Sequence, residues 1–395
     1  MNIPNNIREV LDILQECGFE PYLVGGCVRD TVMGIVPHDY DITSNASPEA
    51  VTECFELRGY KTYPLGKEFG TVCVLAGDEV VEITPYRTEG TYSDSRHPDT
   101  VEFVSDIRLD LSRRDFTVNA MAIDASGNIL DLFDGIGDIE KGIIRCVGNP
   151  YERLSEDALR TLRALRFAAR LGFEIDADTK KAMTELSPLL HNISGERIYS
   201  ELSEILCAKH AYSVLPDCEE IIKTVIPAFH VSEKLKDGYG DFLYRLFTCI
   251  FDGGKKAAED IHKLMKLSNV ERDRLYSLFD VYSTLCGDTP KKLALDNSVK
   301  KLLCSESSEA VLDIFRFTDS DTAELSDYIE NGVYTLEKLA IKGGEVVKLG
   351  RFPKQNTAKI MCAILFKVAL GELENTAEAI FAFLESADID FGVEV

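Results

Sequence analysis

The chain has 395 residues, of which 45% are apolar and 28% are charged, a composition typical of a globular protein long enough for two or more domains. The start of the chain has no secretory-signal pattern, and no apolar run approaches the roughly 18 residues of a membrane helix, so we predict no membrane-spanning helix. The formal net charge of −24, taken alone, points away from a nucleic-acid partner, because phosphates attract lysine and arginine.

The first 150 residues alternate short apolar runs with turn residues, and this pattern predicts a mixed α/β domain with a small sheet. Ser47 at an N-cap and Pro48 at the first helical position mark the clearest helix start. In chain order, the predicted elements are a helix over residues 5–17, a strand and tight turn over 21–26, a helix over 28–34, a strand over 39–45, a helix over 47–57, and a hairpin of strands 71–77 and 79–86 that turns at Gly77-Asp78.

Beyond residue 150 the strand pattern stops, and apolar residues recur at spacings of three and four, which predicts an almost entirely helical remainder. We therefore predict an α/β head over residues 1–150, a helical neck over 151–210, and a helical body and tail over 211–395. The charge is uneven: residues 1–150 hold 12 basic and 26 acidic side chains, whereas residues 151–210 hold 9 and 10, with five arginines between Arg153 and Arg170. A local positive surface is therefore compatible with the acidic total.

The eleven cysteines are scattered and contain no C-x-x-C pair. This distribution argues against a disulfide framework and a structural zinc site, and it predicts a protein of the reducing cytoplasm. We assign no chemistry to them.

The segment LVGGCVRD, residues 23–30, predicts a strand that enters a helix through a tight turn at Gly25 and Gly26. Without side chains, these glycines let backbone N–H groups approach a phosphate, and the N-terminus of the following helix favours an anion. Arg29 would add a charged clamp. The alternative is a plain strand–turn–helix corner, because two glycines alone are a weak phosphate signal.

The segment HDYDIT predicts a strand on which Asp39 and Asp41 project from the same face. Two carboxylates this close repel each other unless a cation lies between them, and Mg²⁺ prefers hard oxygen ligands. The alternative is a solvated acidic turn. Glu82, among apolar residues of the strand EVVEITPY, predicts a third carboxylate with a metal or basic partner, since an unpaired buried carboxylate is costly. The alternative for Glu82 is a solvated position on an edge strand.

The segment RRDFTVNAMAID combines an arginine pair with a predicted helix start. Arg113 and Arg114 are candidates to face a triphosphate. Asp115 would orient an arginine or cap a helix that begins at Phe116, and Asn119 would hydrogen-bond a sugar hydroxyl. The alternative, a capped helix that leads into a strand, explains Asp115 but not the arginine pair.

The segment EDALRTLRALRF predicts a helix on which Asp157 and Arg160 are three residues apart and share a face. An aspartate acceptor and an arginine donor fixed side by side can read the Watson–Crick edge of a base. Arg163 and Arg166 extend the same row. The alternative is a solvated helix face with ion pairs between neighbouring turns. The apolar residues of the segment are predicted to be core: Ala158, Leu159, Leu162, Leu165 and Phe167.

Together these motifs resemble the class II tRNA nucleotidyltransferases, which belong with the bacterial poly(A) polymerases to the polymerase β-like superfamily. The match covers about residues 20–205, in the order LVGGCVRD, HDYDIT, RRDFTVNAMA, DLFDGIGDIEKGIIR, EDALRTLRALRFAARLGF and GERIYSEL. The resemblance implies a seahorse-shaped fold with a catalytic α/β head, a helical neck that reads nucleobases and binds RNA, and a helical body and tail that bind tRNA.

The resemblance also implies roles for individual residues. Asp39 and Asp41 would bind two catalytic Mg²⁺ ions, with Glu82 as the third catalytic carboxylate. In the two-metal mechanism that this implies, the 3′-hydroxyl of tRNA attacks the α-phosphate in line and pyrophosphate leaves, without a protein nucleophile. The implied nucleotide-binding residues are Gly25, Gly26, Arg29 and Arg114 for the triphosphate, and Asp157, Arg160, Arg163 and Arg166 for the base of CTP or ATP.

The resemblance alone does not distinguish between the related reactions that members of this family catalyse. Members that add only two cytidines lack a flexible loop after the metal-binding strands, whereas residues 85–103 here form a full-length segment rich in Gly, Ser and charge. This favours the addition of C, C and A from CTP and ATP; the alternative is an A-adding enzyme that works beside a separate CC-adding enzyme. Poly(A) polymerases usually carry a basic C-terminal extension, and the acidic end LESADIDFGVEV argues against that reaction.

Two other classes of protein remain as alternatives. A nucleotide-binding regulatory module that has lost catalysis is disfavoured by the presence of both Asp39 and Asp41. A nucleotidyltransferase that modifies proteins or small molecules is disfavoured by Asp157, Arg160 and the long helical remainder, and it would be favoured if that remainder had no positive surface.

Overall fold

The structure, a computed structural model, comprises two compact units, Met1–Lys236 and Asp237–Val395. The predicted limits near residues 150 and 210 both fall inside the first unit, so the division into head, neck, and body and tail stays a prediction about function. The described residues are 3–65, 70–77, 79–90, 100–287 and 289–386.

The strands of the first unit form one main mixed sheet and two small pairs. They are β1 Pro21–Val24, β2 Asp41–Ser44, β3 Thr62–Leu65, β4 Thr71–Ala76, β5 Glu79–Pro85, β6 Arg87–Glu89, β7 Val101–Phe103, β8 Met121–Asp124, β9 Ile129–Asp131, β10 Ile143–Ile144 and β11 Glu174–Ile175. Within the described part of the chain, seven strands join in the order β3-β4-β5-β2-β1-β8-β9; β2 and β5 run parallel and the other neighbours run antiparallel. The predicted mixed α/β head is confirmed. The short strand β11, which pairs with β10, is a departure from the predicted helical remainder.

The helices of the first unit begin where the sequence supplies caps. At the start of the third helix, the Ser47 hydroxyl accepts a hydrogen bond from the Ala50 N–H at 3.3 Å, and Pro48 occupies the first position, as predicted. The helices are α1 Asn5–Glu16, α2 Gly26–Val32, α3 Pro48–Glu56, α4 Ile107–Ser112, α5 Gly135–Lys141, α6 Pro150–Glu156, α7 Leu159–Leu171, α8 Ala177–Leu186, α9 Gly195–Cys207, α10 Ala211–Val214 and α11 Glu219–Lys223.

One face of the main sheet is apolar and packs against the core, and the other face carries the carboxylates of the site. Ile42 of β2 and Ile83 of β5 belong to a buried cluster with Leu11 of α1. Side chains alternate along a strand, so Asp41 and Glu82, one residue earlier on the same strands, project from the opposite face. The helices α1 to α3 contribute to the apolar cluster, and the carboxylates are left on the other side.

The segment 85–103, predicted to be a flexible loop, contains β6 and β7, which pair antiparallel with Arg87 opposite Phe103. The strands β4 and β5 form the predicted hairpin. Residues 91–99 of the segment and Asp78 of the predicted hairpin turn lie outside the described residues.

Cys17 and Cys54 form a disulfide between the C-terminal end of α1 and the last turn of α3. The scattered spacing of the cysteines, which argued against a disulfide framework, gave no indication of this pair. The two residues are 37 positions apart, and only the packing of α1 beside α3 brings them together. Within the described residues, the other nine cysteines take part in no disulfide.

The second unit is helical throughout its described residues. The rings of Phe247 and Phe279 pack edge to face with centroids 5.0 Å apart, and Phe317 lies 5.2 Å from Phe247. No helix in the described ranges combines the length and the apolar character that crossing a membrane requires. The helices are α12 Phe242–Ile250, α13 Gly254–Met265, α14 Asn269–Cys286, α15 Asn297–Leu303, α16 Ser308–Phe317, α17 Ala323–Asn331, α18 Gly343–Lys348, α19 Thr357–Ala369 and α20 Ala377–Ser386.

Candidate active site

A polar cleft of about 570 Å³ lies in the first unit. Among the described residues that line it, eight are arginines and five are aspartates, so the lining is positive within a chain of net charge −24. This excess of arginine suits a ligand with several negative charges. The lining residues are Gly25, Gly26, Arg29, Asp30, His38, Asp39, Asp41, Arg87, Arg113, Arg114, Asp115, Asn119, Asp157, Leu159, Arg160, Arg163, Phe167, Arg170 and Arg197.

A larger groove of about 700 Å³ lies between α3 and the strands β3 and β4. Among the described residues that line it, the charged ones are Glu49, Glu53 and Glu56. Three negative side chains repel a polyphosphate, so the groove does not suit a nucleotide and we assign the chemistry to the polar cleft.

Gly25 turns the chain from β1 into α2 with a φ of +76°, a backbone conformation that favours glycine. A Cβ atom at this position would lie 3.4 Å from Nη1 of Arg114 and 3.8 Å from Oδ2 of Asp41. The predicted strand–turn–helix corner is present, and Gly25 leaves bare backbone between a guanidinium and a carboxylate. Gly26 begins α2 and also lines the cleft.

Asp39 and Asp41 both line the cleft, but they do not lie on one strand. The strand β2 begins at Asp41, and Asp39 precedes it, so the predicted strand placement of the pair is wrong. Asp41 stays partly exposed. Desolvation in the cleft, together with the charges of Asp39 and Glu82, raises the pKa of Asp41 to about 6, against the opposing influence of Arg114. Carboxylates that disfavour each other's charge in this way attract a cation.

Glu82 lies beside Asp41, because β5 and β2 pair in parallel with these two residues in register. The strand β5 lies between β4 and β2, so the alternative of an edge strand is wrong. The predicted burial is also wrong: Val81 and Ile83 face the apolar core, and the Glu82 side chain is exposed on the other side of the sheet. Of the described residues, the cleft lining includes Asp41 but not Glu82.

The donor set formed by Asp39 and Asp41 fits Mg²⁺. Within the ranges that the structure describes, no group of three or more His, Cys, Asp or Glu residues is arranged to hold a metal alone. Mg²⁺ does not need such a group, since it is usually bound by one or two carboxylates together with water and substrate phosphates. The structural observation that supports a cation here is that Asp39 and Asp41 line one cleft while Glu82 is in register with Asp41 on the neighbouring strand.

Arg29 lines the cleft, but its side chain is buried and each of its three nitrogens donates a hydrogen bond within the protein. Its Nε and Nη2 donate to Oδ1 of Asp30 at 2.9 and 2.7 Å, and its Nη1 donates to Oδ1 of Asn119 at 2.8 Å. These bonds favour a role in positioning Asp30 and Asn119 over the predicted clamp on a triphosphate.

Asp115 orients Arg163, one of the two roles predicted for it. Arg163 donates through Nε and Nη2 to Oδ2 of Asp115 at 2.9 and 2.6 Å, and the Phe116 N–H donates to Oδ1 at 2.8 Å. The residues that follow form a 3₁₀ turn, Thr117–Asn119, so the predicted helix that begins at Phe116 is wrong. Burial alone would raise the pKa of Asp115, but the charge of Arg163 and these hydrogen bonds hold it below its ordinary value.

The helix predicted over residues 156–167 is interrupted at Asp157. The helix α6 ends at Glu156, Asp157 has an extended backbone with φ −134° and ψ 104°, and α7 begins at Leu159. The Asp157 Oδ1 accepts the Leu159 N–H at 3.0 Å, which satisfies a donor at the start of α7. Asp157 and Arg160 therefore do not share one helix face, although both line the cleft.

Asp157 and Arg160 are held by separate partners. The Oδ2 of Asp157 accepts a hydrogen bond from Nη2 of Arg197 at 2.9 Å. The Nη1 of Arg160 donates to Oε2 of Glu156 at 2.5 Å and to the carbonyl oxygen of Arg153 at 2.8 Å. A carboxylate oxygen has two lone pairs, so Asp157 retains acceptor capacity for a ligand.

Arg166 contacts α9 instead of the cleft. Its Nε donates to Oε2 of Glu201 at 2.7 Å, and among the described lining residues Arg163 is present and Arg166 is not, so the predicted lining role is wrong for Arg166. The Phe167 ring is buried as predicted, and it also lines the cleft. The guanidinium carbons of Arg29, Arg163 and Arg166 lie 5.4, 5.5 and 4.5 Å from its centroid, within cation–π range.

Sequence reasoning assigned no role to several residues at the cleft. His38, Arg87, Arg170 and Arg197 line it, and Asp110 accepts hydrogen bonds from its arginine pair. Three of these residues could have been found, because His38, Arg170 and Arg197 lie in the matching segments HDYDIT, EDALRTLRALRFAARLGF and GERIYSEL. Arg87 and Asp110 lie outside the matching segments, and only folding brings them to the cleft.

Comparisons with known proteins identify relatives of this chain over most of its length. A family model described as the poly A polymerase head domain matches residues 21–145, and one described as a probable RNA and SrmB-binding site of polymerase A matches residues 172–220. A CCA-adding enzyme of Ligilactobacillus salivarius is 50% identical over 95% of this chain and 96% of its own length. A CCA-adding enzyme of Streptococcus pneumoniae strain G54 is 34% identical over 97% of this chain and 98% of its own length. The crystal structure of the Bacillus stearothermophilus CCA-adding enzyme in complex with CTP matches with a TM-score of 0.77 and 28% identity, covering 97% of this chain and 98% of that chain.

Proposed function

The chain belongs to the CCA-adding enzyme family, and we propose that its cleft adds C, C and A to the 3′ end of tRNA. CTP and ATP are the substrates, and pyrophosphate is released. The observation that carries the proposal is that one cleft brings together two carboxylates, an arginine-rich wall, and the pair Asp157 and Arg160. The relative of similar fold was solved with CTP.

We assign the metal site to Asp39 and Asp41. Mg²⁺ bound there would lower the pKa of the attacking 3′-hydroxyl and neutralise charge on the phosphates. Glu82 adds negative charge beside Asp41 and so strengthens the attraction for a cation. The chain contributes no nucleophile to this chemistry, because the hydroxyl of tRNA attacks the α-phosphate directly.

We assign the triphosphate to the space between Asp41 and Arg114. Gly25 leaves the backbone bare there, and Gly26 continues the same turn. Arg113 lines the cleft beside Arg114 and adds a second guanidinium. Arginines suit this task because the fork of a guanidinium matches the spacing of phosphate oxygens.

We assign the base to Asp157 and Arg160. Cytosine and adenine each present an amino donor beside a ring-nitrogen acceptor, whereas uracil and guanine present a carbonyl and an N–H at the same positions. An aspartate acceptor and an arginine donor therefore pair with C and A and leave unpaired groups against U and G. Arg163, held by Asp115, lines the same cleft.

The second unit contains a segment rich in exposed basic side chains, and this segment supports tRNA as the partner. Between residues 338 and 359 the chain holds six basic side chains and one acidic side chain, and all six basic ones are exposed. Phosphate backbones are bound by such clusters, and a small-molecule target would not require one. We place the reaction in the cytoplasm, together with its tRNA substrate. The basic residues of this segment are Lys338, Lys342, Lys348, Arg351, Lys354 and Lys359.

The experiment that tests the proposal is the incorporation of labelled CTP and ATP, separately and together, into two tRNAs. One tRNA lacks its last three nucleotides and the other ends in CC. We expect the first to gain two cytidines and then one adenosine. Extension of the CC-ended tRNA alone, and by ATP alone, would support the alternative A-adding enzyme, and long adenosine tails would support a poly(A) polymerase.

A further inference from the structure

Asp110 on α4 has no solvent exposure, yet it is bonded to two arginines that line the cleft. Arg113 donates through Nε and Nη2 to its Oδ1 at 3.0 and 2.7 Å, and Arg114 donates through Nη2 to its Oδ2 at 3.1 Å. The sequence spacing explains the contact, because residues three and four positions after Asp110 lie on the same side of a helical turn. One carboxylate thus uses both of its oxygens to hold two neighbouring guanidiniums.

A further contact ties Asp110 to the strand β6. The backbone N–H of Arg87 donates to Oδ1 of Asp110 at 3.4 Å, and Arg87 itself lines the cleft. Burial alone would raise the pKa of Asp110, but the charges of Arg114 and Arg113 and their hydrogen bonds hold it below its ordinary value. The group is therefore an anion at neutral pH, and it can offset the like charges of the arginine pair.

We infer that Asp110 is a positioning residue for the triphosphate, which acts through Arg113 and Arg114 and does not itself touch the nucleotide. Two adjacent guanidiniums repel each other and have many rotamers, so without a common anion they would point away from each other and move. Held by Asp110, they present a fixed pair of donors before the nucleotide arrives, and little ordering remains to be done on binding. The inference rests on the proposed function, which supplies the triphosphate.

The test is the substitution Asp110→Asn, which keeps the size of the side chain and removes its charge. The chain has no tryptophan, so calorimetric titration with inorganic pyrophosphate and with CTP, in the presence of Mg²⁺ and without tRNA, is the suitable readout. We expect both dissociation constants to rise by about tenfold, a loss on the scale of charge-assisted hydrogen bonds. The preference for CTP over UTP should stay unchanged, because Asp157 and Arg160 read the base.

A matched control separates this role from a general loss of stability. Asp313 in the second unit is also buried and accepts hydrogen bonds from an arginine, Arg274, and from Tyr239. We expect Asp313→Asn to lower the thermal stability without changing the pyrophosphate dissociation constant. If Asp110→Asn does not fold, Asp110→Glu keeps the charge but displaces it by one methylene, and it should weaken pyrophosphate binding in the same direction.

The decisive comparison uses a background that carries Arg113→Gln and Arg114→Gln. There Asp110→Asn should leave the KM for CTP unchanged, because its effect passes through the two arginines. A folded Asp110→Asn protein with the wild-type dissociation constant for pyrophosphate would overturn the inference, as would an undiminished effect of Asp110→Asn in the double background. Failure of the unmodified protein to bind CTP or to extend tRNA would instead overturn the proposed function.

Discussion

Asp157→Ala should remove the discrimination between bases more than it removes the reaction. In the proposed pairing, uracil provides no matching group for the acceptor of Asp157 or the donor of Arg160. An unpaired buried polar group costs about 1–3 kcal/mol. Each 1.36 kcal/mol is a factor of ten, so the preference for CTP over UTP should fall by a factor of about 5 to 160. This loss of preference should arise mainly from slower incorporation of CTP, because an alanine side chain has no acceptor for the amino group of cytosine.

The same substitution has a structural cost that must be measured separately. Asp157 also accepts the Leu159 N–H at the start of α7 and the guanidinium of Arg197. Loss of the hydrogen bond to the Leu159 N–H costs about 1 kcal/mol, which for a unit of this size corresponds to a melting temperature lower by about 2–4 °C. Arg197→Gln is the matched control, because it breaks the ion pair and leaves the carboxylate in place; it should keep the preference for CTP.

The assay is single-turnover incorporation of labelled CTP and UTP into a tRNA that lacks its last three nucleotides, with thermal unfolding recorded for each variant. The ratio of the two kcat/KM values gives the discrimination directly. A folded Asp157→Ala protein with the wild-type ratio would refute the base-reading role. An equal loss in Arg197→Gln would move that role from Asp157 to the ion pair.

Three further perturbations test the metal site, the buried ion pair and the RNA surface. Asp39→Ala with Asp41→Ala should abolish transfer and leave the circular dichroism spectrum unchanged, and wild-type activity in that variant would contradict the metal assignment. Because the pKa of Asp41 is raised to about 6, the carboxylate that Mg²⁺ needs is lost as the pH falls through 6. The Mg²⁺ affinity measured by calorimetry should therefore fall about tenfold per pH unit below that value. Equal Mg²⁺ affinity at pH 5 and pH 7 would contradict the assignment of Asp41 as a metal ligand. Asp115 has a lowered pKa in the folded protein, so its contribution to stability is present above the ordinary aspartate value near 3.9 and is lost as the pH falls through the lower folded value. Denaturant unfolding from pH 7 to pH 3 should therefore show a steeper acid loss for the unmodified protein than for Asp115→Asn. Lys354→Glu with Lys359→Glu should weaken tRNA binding and reduce the slope of log affinity against log salt by about two, with the KM for CTP unchanged; an unaltered slope would place the RNA elsewhere.

The class of the fold and most cleft residues could be predicted from the sequence because their determinants are local. A glycine with positive φ between a strand and a helix is needed wherever the chain turns as it does at Gly25, and the pattern LVGG shows it. Asp41 on a strand beside apolar Ile42 is likewise a local pattern. The net charge of −24 is compatible with an anionic ligand, because the arginines of the cleft are concentrated in a few short segments.

Several details of the site could not be predicted because they depend on partners distant in the chain. Glu82 was expected to be buried, and only the register with Asp41 shows that it is exposed beside that carboxylate. Arg166 has the helical spacing of a cleft residue, but a carboxylate of α9 competes for its guanidinium and draws it away. The break of the helix at Asp157 depends on its bonds to Leu159 and Arg197, which outweigh the helical spacing of its neighbours.

The sequence by itself determined the chemistry that this chain carries: glycines at the turn, two carboxylates, arginine pairs, and an acceptor and donor for a base, in an order typical of one family. Those assignments rest on residue type and on spacing within a single turn or strand, which are properties of short segments. The tertiary structure decided which of these groups face the cleft and which are used to hold others in place. Asp110 is the clearest case, because its function depends on a burial and on a contact with β6 that exist only once the strands and helices have packed together.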